Sequence, residues 1–114
     1  MMPSTTAFSP GTVVLVRFPF TNLETHKKRP AVVVSPAEYA ERHGDIVIVP
    51  LTSVDQQDAG LRLDKWKDAG LVKPSWVKPL VGTVSAGIVE RALGRLGEGD
   101  IDCVRRAMRQ MVAF

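Results

Sequence analysis

The sequence predicts a mostly β protein, built as one small, partly closed barrel with short helices and a C-terminal amphipathic helix. Short runs of β-branched residues recur along the chain, and glycine and proline separate them. One segment near the end has the periodicity of a helix with a single apolar face. The chain has 114 residues, which is enough for one hydrophobic core but not for two.

Composition indicates the domain organisation and the compartment. Residues 1–10 are rich in Ser, Thr and Pro and are predicted to form a flexible terminus, which leaves residues 11–114 as a single domain. The one cysteine, Cys103, excludes an internal disulfide and shows no metal-ligand spacing, so no metal or other cofactor is expected. Because neither a signal peptide nor a run of about 18 apolar residues is present, we expect a cytoplasmic protein without membrane contact.

The first half of the chain is predicted to contain three strands. They cover residues 12–18, 31–34 and 45–53, and Pro19 ends the first of them. The third strand is a continuous apolar run, which predicts burial on both of its faces.

A short helix is predicted between the second and third strands. Ser35, Pro36, Ala37 and Glu38 have the pattern of a capping box, with Ser35 as the N-cap and Glu38 reaching back to its amide. Gly44 is the expected left-handed C-cap.

The second half is predicted to contain three more strands and the main helix. The strands cover residues 61–63, 75–81 and 88–96, with a helical turn at 64–70, a chain reversal at 82–87 and a hinge at 97–99. Gly94 is expected to mark a bulge or a tight bend. Asp100 is the predicted N-cap of the amphipathic helix, whose cations lie toward its C-terminal end.

A cationic segment precedes the second strand. Lys27, Lys28 and Arg29 stand directly before Pro30, which has no amide proton and therefore belongs at the beginning of a strand. Arg29 is thus predicted at the mouth of the strand, with its guanidinium free to hold an anionic ligand. Lys27 and Lys28 fit equally well as solubilising residues at a hairpin tip.

The other candidate functional residues are cations, hydroxyls and aromatic rings. They are Thr52, Ser53, Trp66, Lys73, Ser75, Trp76 and Lys78. Arginine holds two phosphate oxygens, hydroxyls add donors, and tryptophan stacks on a base, so this inventory suits a phosphodiester ligand. The net charge of +3 suits the same polyanionic partner. In the structural alternative, both tryptophans belong to the core and Thr52 merely ends a strand.

Several enzyme classes are excluded because their motifs are absent from the sequence. There is no glycine-rich phosphate loop, no cysteine–histidine cluster and no nucleophile elbow. Cleavage of single-stranded RNA requires none of these motifs, because the 2′-hydroxyl of the RNA can be the nucleophile. No general base is evident, since His26 and His43 are isolated and the carboxylates have plausible roles in turns and caps.

Five motifs occur in order along the chain: GTVVLVRFPF at 11–20, KRPAVVVS at 28–35, VPLTS at 49–53, KPSWVKP at 73–79 and LGRL at 93–96. At these positions the chain resembles the MazF/PemK toxins of type II toxin–antitoxin systems, and the last two motifs are similar to the PemK-like branch. The resemblance covers nearly the whole chain from Gly11 onward.

The resemblance implies an SH3-like barrel of the MazF/PemK/CcdB type that forms a homodimer, with single-stranded RNA across the dimer groove. It implies a metal-independent, sequence-specific endoribonuclease that leaves a 2′,3′-cyclic phosphate and a 5′-hydroxyl, and a cognate antitoxin that covers the groove. It assigns catalysis to Arg29 and Thr52. The RNA-binding residues expected beside them are Lys27, Lys28, Ser53, Lys73, Ser75, Trp76 and Lys78.

The chain departs from the family pattern at two places, and two rival functions remain. Thr12 stands where the family usually has Asp, with an expected structural consequence. Leu80 stands where some members carry a carboxylate assigned to acid–base work, so that base is missing. One rival is a non-catalytic toxin that inhibits a protein such as DNA gyrase through the C-terminal helix; the other is a degenerate homologue that binds RNA without cutting it.

Overall fold

The computed structural model describes residues 8–17 and 27–114, and within them it contains six strands and two helices. The strands are β1 (Thr12–Arg17), β2 (Lys28–Val33), β3 (Asp45–Thr52), β4 (Trp76–Val77), β5 (Gly82–Ser85) and β6 (Val89–Arg95). The helices are α1 (Ala37–His43) and α2 (Glu98–Met111). Residues 18–26, including Pro19 at the predicted end of the first strand, lie outside the described residues.

The six strands form one antiparallel sheet. Five of them follow the order β4-β3-β2-β1-β6, and β5 pairs with β3 outside this order. β3 is its most connected strand, because it pairs with β2, with β4 at its C-terminal end and with β5 along its first half. Each connection between β1, β2 and β3 is antiparallel, as in a meander.

The sheet is buried on both faces along β1, β2 and β3, because neighbouring residues of these strands enter two different hydrophobic clusters. On one face Val13, Val32 and Val49 pack with residues of α2 such as Val104. On the other face Val14, Val33 and Ile48 form a second cluster. Burial of β3 on both faces is therefore confirmed, as is the mostly β class with a C-terminal amphipathic helix.

Phe8 extends the packed domain toward the N-terminus. Its side chain is buried in the second cluster. The segment predicted to be flexible over residues 1–10 thus ends in residues that pack against the domain, and residues 1–7 lie outside the described part of the chain.

The predicted capping box at Ser35 is wrong. The N-cap of α1 is Pro36, and no side chain caps the helix. Ser35 is buried, and its Oγ accepts a hydrogen bond from the amide of Val47 on β3 at 3.0 Å. Because the amide of Val34 also donates to the carbonyl of Val47, Ser35 prolongs the pairing of β2 with β3 instead of starting a helix. Gly44 is the left-handed C-cap, as predicted.

The strand boundaries between residues 61 and 87 also differ from the prediction. Residues 82–85 are not a chain reversal but β5, whose Val84 pairs with Ile46 of β3. The predicted strand at 75–81 is reduced to the two residues of β4. Residues 61–63 contribute one isolated bridge, between Arg62 and Trp76. Short apolar runs do not reveal their pairing partners, and the partner here is the long strand β3.

The hinge predicted at residues 97–99 and the N-cap predicted at Asp100 are wrong as well. α2 begins at Glu98 after Gly97, so Asp100 lies in its first turn. Asp100 is buried, and its carboxylate accepts hydrogen bonds from the amides of Asp64 and Lys65 at 2.8 and 2.9 Å. The side chain therefore fixes a distant loop rather than the start of its own helix.

The bend predicted at Gly94 is confirmed by an irregular register between β1 and β6. Val13 pairs with Gly94 and Val14 with Ala92, which leaves one extra residue on β6. A Cβ atom on Gly94 would lie 2.5 Å from the carbonyl oxygen of Ala69. Glycine is thus required because the loop around Ala69 crosses β6 at close range.

No helix in the described ranges, 8–17 and 27–114, is long and apolar enough to cross a bilayer.

Candidate functional site

A pocket of about 220 Å³ opens where β2 begins and β3 ends. The pairing of β2 with β3 ends at Ala31 and Pro50, and Arg29 and Thr52 each lie two residues beyond that end on their own strands. The lining residues are Lys28, Arg29, Pro30, Leu51, Thr52, Ser53, Val54, Leu71, Val72, Lys73 and Ser75. Six of the nine residues predicted for the site are among them.

Arg29 is the second residue of β2 and pairs with Val16 of β1. β2 begins two residues earlier than Pro30, which pairs with Leu15 of β1, so the strand starts before the predicted position. The pairing with β3 begins at Ala31, the residue after the proline, which has no amide proton to donate. The side chain of Arg29 is half-buried at the pocket. The sheet therefore fixes the backbone of Arg29 and leaves its guanidinium at the pocket wall.

Thr52 ends β3 and pairs with Trp76 of β4. Its Oγ1 accepts a hydrogen bond from the amide of Val54 at 3.1 Å, which holds the hydroxyl and turns the chain away from the strand. The hydroxyl proton is not used in that bond, so it can be donated to a ligand. Ser53 follows directly and is exposed.

The two lysines of the pocket have different surroundings. Lys28 forms an ion pair with Glu90 of β6 at 3.5 Å, and Glu90 also pairs with Arg17 at 3.3 Å. The positive charge of Lys28, together with the hydrogen bond from Arg17, holds the pKa of Glu90 below its ordinary value. Lys73 is exposed on the opposite side of the pocket, in the segment between the 3₁₀ turn at Ala59–Leu61 and β4.

The hydroxyl of Ser75 lines the pocket and also has a structural role. Its side chain is buried, and its Oγ donates to the carbonyl of Lys73 at 2.8 Å. This bond fixes the turn that carries Lys73 into the pocket.

Three predicted RNA-binding residues do not line the pocket. Lys27 is exposed directly before β2. Trp76 is half-buried against the cluster under α2, with the Arg62 guanidinium 5.6 Å from its ring centroid. Lys78 is half-buried, and its amide donates to the carbonyl of Pro50 at 3.0 Å.

Two exposed valines at the pocket were not predicted from the sequence. Val54 is 66% exposed and Val72 is 89% exposed, which is unusual for apolar side chains. They continue an apolar wall that Leu51 and Leu71 begin inside the pocket. The only sequence signal is a valine beside a polar or cationic residue in each loop, which is too common to be diagnostic.

The described lining of the pocket contains no carboxylate and no imidazole. The missing base at Leu80 is thus not replaced by an acidic residue from another element within the described residues. Nor do three or more His, Cys, Asp or Glu side chains gather into a metal-binding group in the described ranges. Charge in the pocket is positive, from Lys28, Arg29 and Lys73.

The pattern of the sequence matches a known family over nearly its whole length. The family is described as PemK-like, MazF-like toxins of type II toxin–antitoxin systems, and its sequence profile matches residues 9–112. The chain belongs to this family. A comparison with curated proteins finds no match.

Solved structures share the fold at low sequence identity. The MazE–MazF complex of Deinococcus radiodurans has a TM-score of 0.70 at 19% identity, covering 90% of this chain and 94% of that one. The Mycobacterium tuberculosis toxin MazF-mt6 has a TM-score of 0.67 at 19% identity, covering 87% and 93%. A mycobacterial endoribonuclease in complex with its cognate antitoxin has a TM-score of 0.66 at 16% identity, covering 90% and 89%. The SH3-like barrel of the MazF type expected from the sequence is therefore confirmed.

Proposed function

We propose that this toxin is a sequence-specific endoribonuclease that cuts single-stranded RNA without a metal ion. The observation that carries the proposal is the convergence of Arg29 and Thr52, from two different strands, on one cationic pocket with Lys28 and Lys73. Family membership and the endoribonuclease among the structural relatives support it.

The proposed reaction is an internal transesterification. The 2′-oxygen attacks the adjacent phosphorus, the bond from phosphorus to the 5′-oxygen breaks, and a 2′,3′-cyclic phosphate and a 5′-hydroxyl result. The RNA supplies the nucleophile, so the protein aligns the reacting atoms and stabilises charge. Because the described pocket lining contains no carboxylate and no imidazole, both proton transfers pass through water in this scheme.

Each pocket residue has a role in this scheme. Arg29 holds two non-bridging phosphate oxygens and offsets the charge that develops on the phosphorane-like transition state. Thr52 donates its hydroxyl proton to the same phosphate while the Val54 amide holds its oxygen. Lys28 and Lys73 contact neighbouring phosphates, with Ser53 as a further donor.

The size and chemistry of the pocket support a single-stranded substrate. A volume of about 220 Å³ is below the range of roughly 300–1,000 Å³ usual for a drug-sized ligand, so it suits one unstacked nucleotide. The apolar wall of Val54 and Val72 can cover the face of a base that has left its stack. Bases in a duplex are not available for such contact.

Two partners belong to the proposal. We expect a cognate antitoxin to cover the pocket, because relatives of this fold were solved in complex with antitoxins. A homodimer is expected from the same family resemblance. Light scattering on the purified protein, alone and with the antitoxin, measures both expectations.

The test incubates purified protein with a long single-stranded RNA in EDTA and maps the fragment ends. Discrete cuts with cyclic-phosphate ends are expected. Arg29→Ala is expected to lower the rate by at least about 100-fold, because it removes the main stabiliser of transition-state charge, while folding is retained. Arg42→Ala is the control, since it removes an exposed cation from the last turn of α1.

Two results would overturn the proposal. Unchanged cutting by a folded Arg29→Ala protein would show that the pocket is not the active site. Intact RNA with the folded wild-type protein would favour the two rivals, which RNA binding and gyrase binding then separate.

A further inference from the structure

The loop after Thr52 is ordered by short-range hydrogen bonds. The Val54 amide donates to Thr52 Oγ1, and Gln56 Nε2 donates to the Val54 carbonyl at 3.0 Å. The Gln57 amide donates to Asp55 Oδ1 at 2.7 Å, and Gln57 has a positive φ of 56°. Such a conformation is unfavourable for a residue with a side chain and persists only where surrounding contacts enforce it.

The end of this loop is fixed by α2. The Asp58 carboxylate accepts hydrogen bonds from Arg106 Nε at 3.0 Å to each of its oxygens, and from Gln110 Nε2 at 3.1 Å. It also accepts the amide of Gly60 at 3.0 Å, which caps the 3₁₀ turn. Arg106 and Gln110 lie one helical turn apart, so one face of α2 presents both donors to one carboxylate.

Gly60 makes room for this contact. A Cβ atom at position 60 would collide with Arg106 Cδ and lie 2.5 Å from its Nε. Gly60 is not at a positive φ, so its backbone conformation does not require glycine. The Arg106 side chain crosses position 60 so closely that a Cβ atom there would displace it.

We infer that Arg106 and Gln110 are positioning residues, which hold the loop of residues 53–58 and thereby the hydroxyl of Thr52 and the apolar wall at Val54. This inference rests on the proposed function. Val54 links the loop to the site directly. Its side chain lines the pocket, and its amide donates the hydrogen bond that holds Thr52 Oγ1. Among the described residues, the hydrogen bonds that remain to residues 53–58 without the Asp58 side chain all join positions at most three residues apart.

Direct contact of Arg106 with RNA is the competing explanation for an effect on cleavage. Arg106 does not line the pocket, and its guanidinium is already bonded to Asp58. A variant that displaces Arg106 without removing its charge distinguishes the two explanations, and Gly60→Ala is such a variant.

The experiment compares Arg106→Ala, Gly60→Ala and the control Arg105→Ala. Arg105 is the neighbouring exposed arginine of α2 and pairs only with Asp102 within the helix among the contacts recorded for it. For each protein we measure kcat and KM for RNA cleavage, the salt dependence of RNA binding, thermal unfolding and backbone amide exchange in residues 54–60.

In Arg106→Ala and Gly60→Ala we expect kcat to fall about tenfold with little change in KM, because a misplaced group weakens the transition state more than substrate binding. Amide exchange in the loop is expected to rise about tenfold. The midpoint of thermal unfolding should shift by less than about 4 °C, and the salt slope in Gly60→Ala should equal that of the wild type. Arg105→Ala should match the wild type in every measurement.

Three outcomes would overturn the inference. Unchanged loop exchange in Arg106→Ala shows that α2 does not hold the loop, whether or not RNA is cut. Unchanged kcat with a loosened loop shows that the loop does not position the site. A loss confined to Arg106→Ala, with a shallower salt slope, shows direct RNA contact instead. If the folded wild-type protein leaves RNA intact, the proposed function fails, and the catalytic part of the inference fails with it. The amide-exchange data still decide whether Arg106 holds the loop.

Discussion

Single buried polar residues hold loops of this protein to its helices and strands. The Asp100 carboxylate accepts hydrogen bonds from the backbone amides of Asp64 and Lys65. The Ser35 hydroxyl accepts one from an amide of β3. Each acceptor side chain is buried, and the hydrogen bonds that it accepts offset the cost of that burial. At the residue scale, stability therefore depends on acceptors whose donors are far away in sequence.

Replacing Asp100 by alanine is expected to lower the free energy of unfolding by about 2–3 kcal/mol, because two backbone amides lose a buried, charged acceptor. Asp100→Asn keeps one acceptor oxygen and should lie between the wild type and Asp100→Ala. Denaturant unfolding measures the difference. The control is Asp102→Ala, whose carboxylate is 74% exposed and should contribute less than about 0.5 kcal/mol. Equal effects at positions 100 and 102 would contradict this account of Asp100.

At the scale of elements, α2 does more than cover the sheet. Its apolar face packs on the cluster around Val32 and Val49, while its polar face carries Arg106, which holds Asp58. The hydrogen bond from Arg106 holds the pKa of the Asp58 carboxyl below its ordinary value of 3.8. The contact between α2 and the loop is thus sensitive to acid.

The sign of this acid sensitivity follows from the direction of the pKa shift. The folded pKa of Asp58 is lowered, so its stabilising effect is complete above the unfolded value of 3.8 and is lost as the pH falls through the folded value. We expect the Gly60 amide to exchange faster, relative to its intrinsic rate, below about pH 4 than at pH 6. In Asp58→Asn the ratio of the observed to the intrinsic exchange rate of the Gly60 amide should not change with pH. The same pH dependence in Asp58→Asn would show that another group is responsible.

At the scale of the whole molecule, the charge around the pocket is only partly available to RNA. The net charge is +3, but Glu90 on β6 pairs with both Lys28 and Arg17 beside the pocket. A negative side chain at this place weakens the field that attracts a polyanion.

Glu90→Gln is expected to strengthen binding of single-stranded RNA about two- to fivefold at low salt, because it removes the carboxylate that pairs with two cations. The dependence of log K on log[salt] should become steeper, since more cation charge is free to replace counterions. Fluorescence anisotropy at several salt concentrations measures both quantities. Glu38→Gln, on the exposed first turn of α1, is the control. Weaker binding in Glu90→Gln would mean that Glu90 orients Lys28 rather than competes with RNA.

Local patterns in the sequence were sufficient for several features of the fold and the site. The β-branched runs predicted β1 and β3 because a strand buried on both faces must be apolar along most of its length. The Arg29-Pro30 pair was recognisable because proline, which has no amide proton, is confined to the beginning, the edge or a bulge of a strand. Thr52 was recognisable because it is the first hydroxyl after the continuous apolar run of β3. Family membership followed from the order of such motifs.

The tertiary structure alone decided which of these residues meet and what the polar ones bind. Ser35 and Asp100 have the local patterns of helix caps, but their buried oxygens accept hydrogen bonds from backbone amides of other segments instead. Residues 82–85 have glycine at their start, but the free edge of β3 makes them a strand. The wall at Val54 and Val72 and the tether from Asp58 to α2 depend on contacts across long stretches of chain. Periodicity and local propensity are properties of neighbours in sequence, whereas hydrogen-bond partners and pocket walls are properties of neighbours in space.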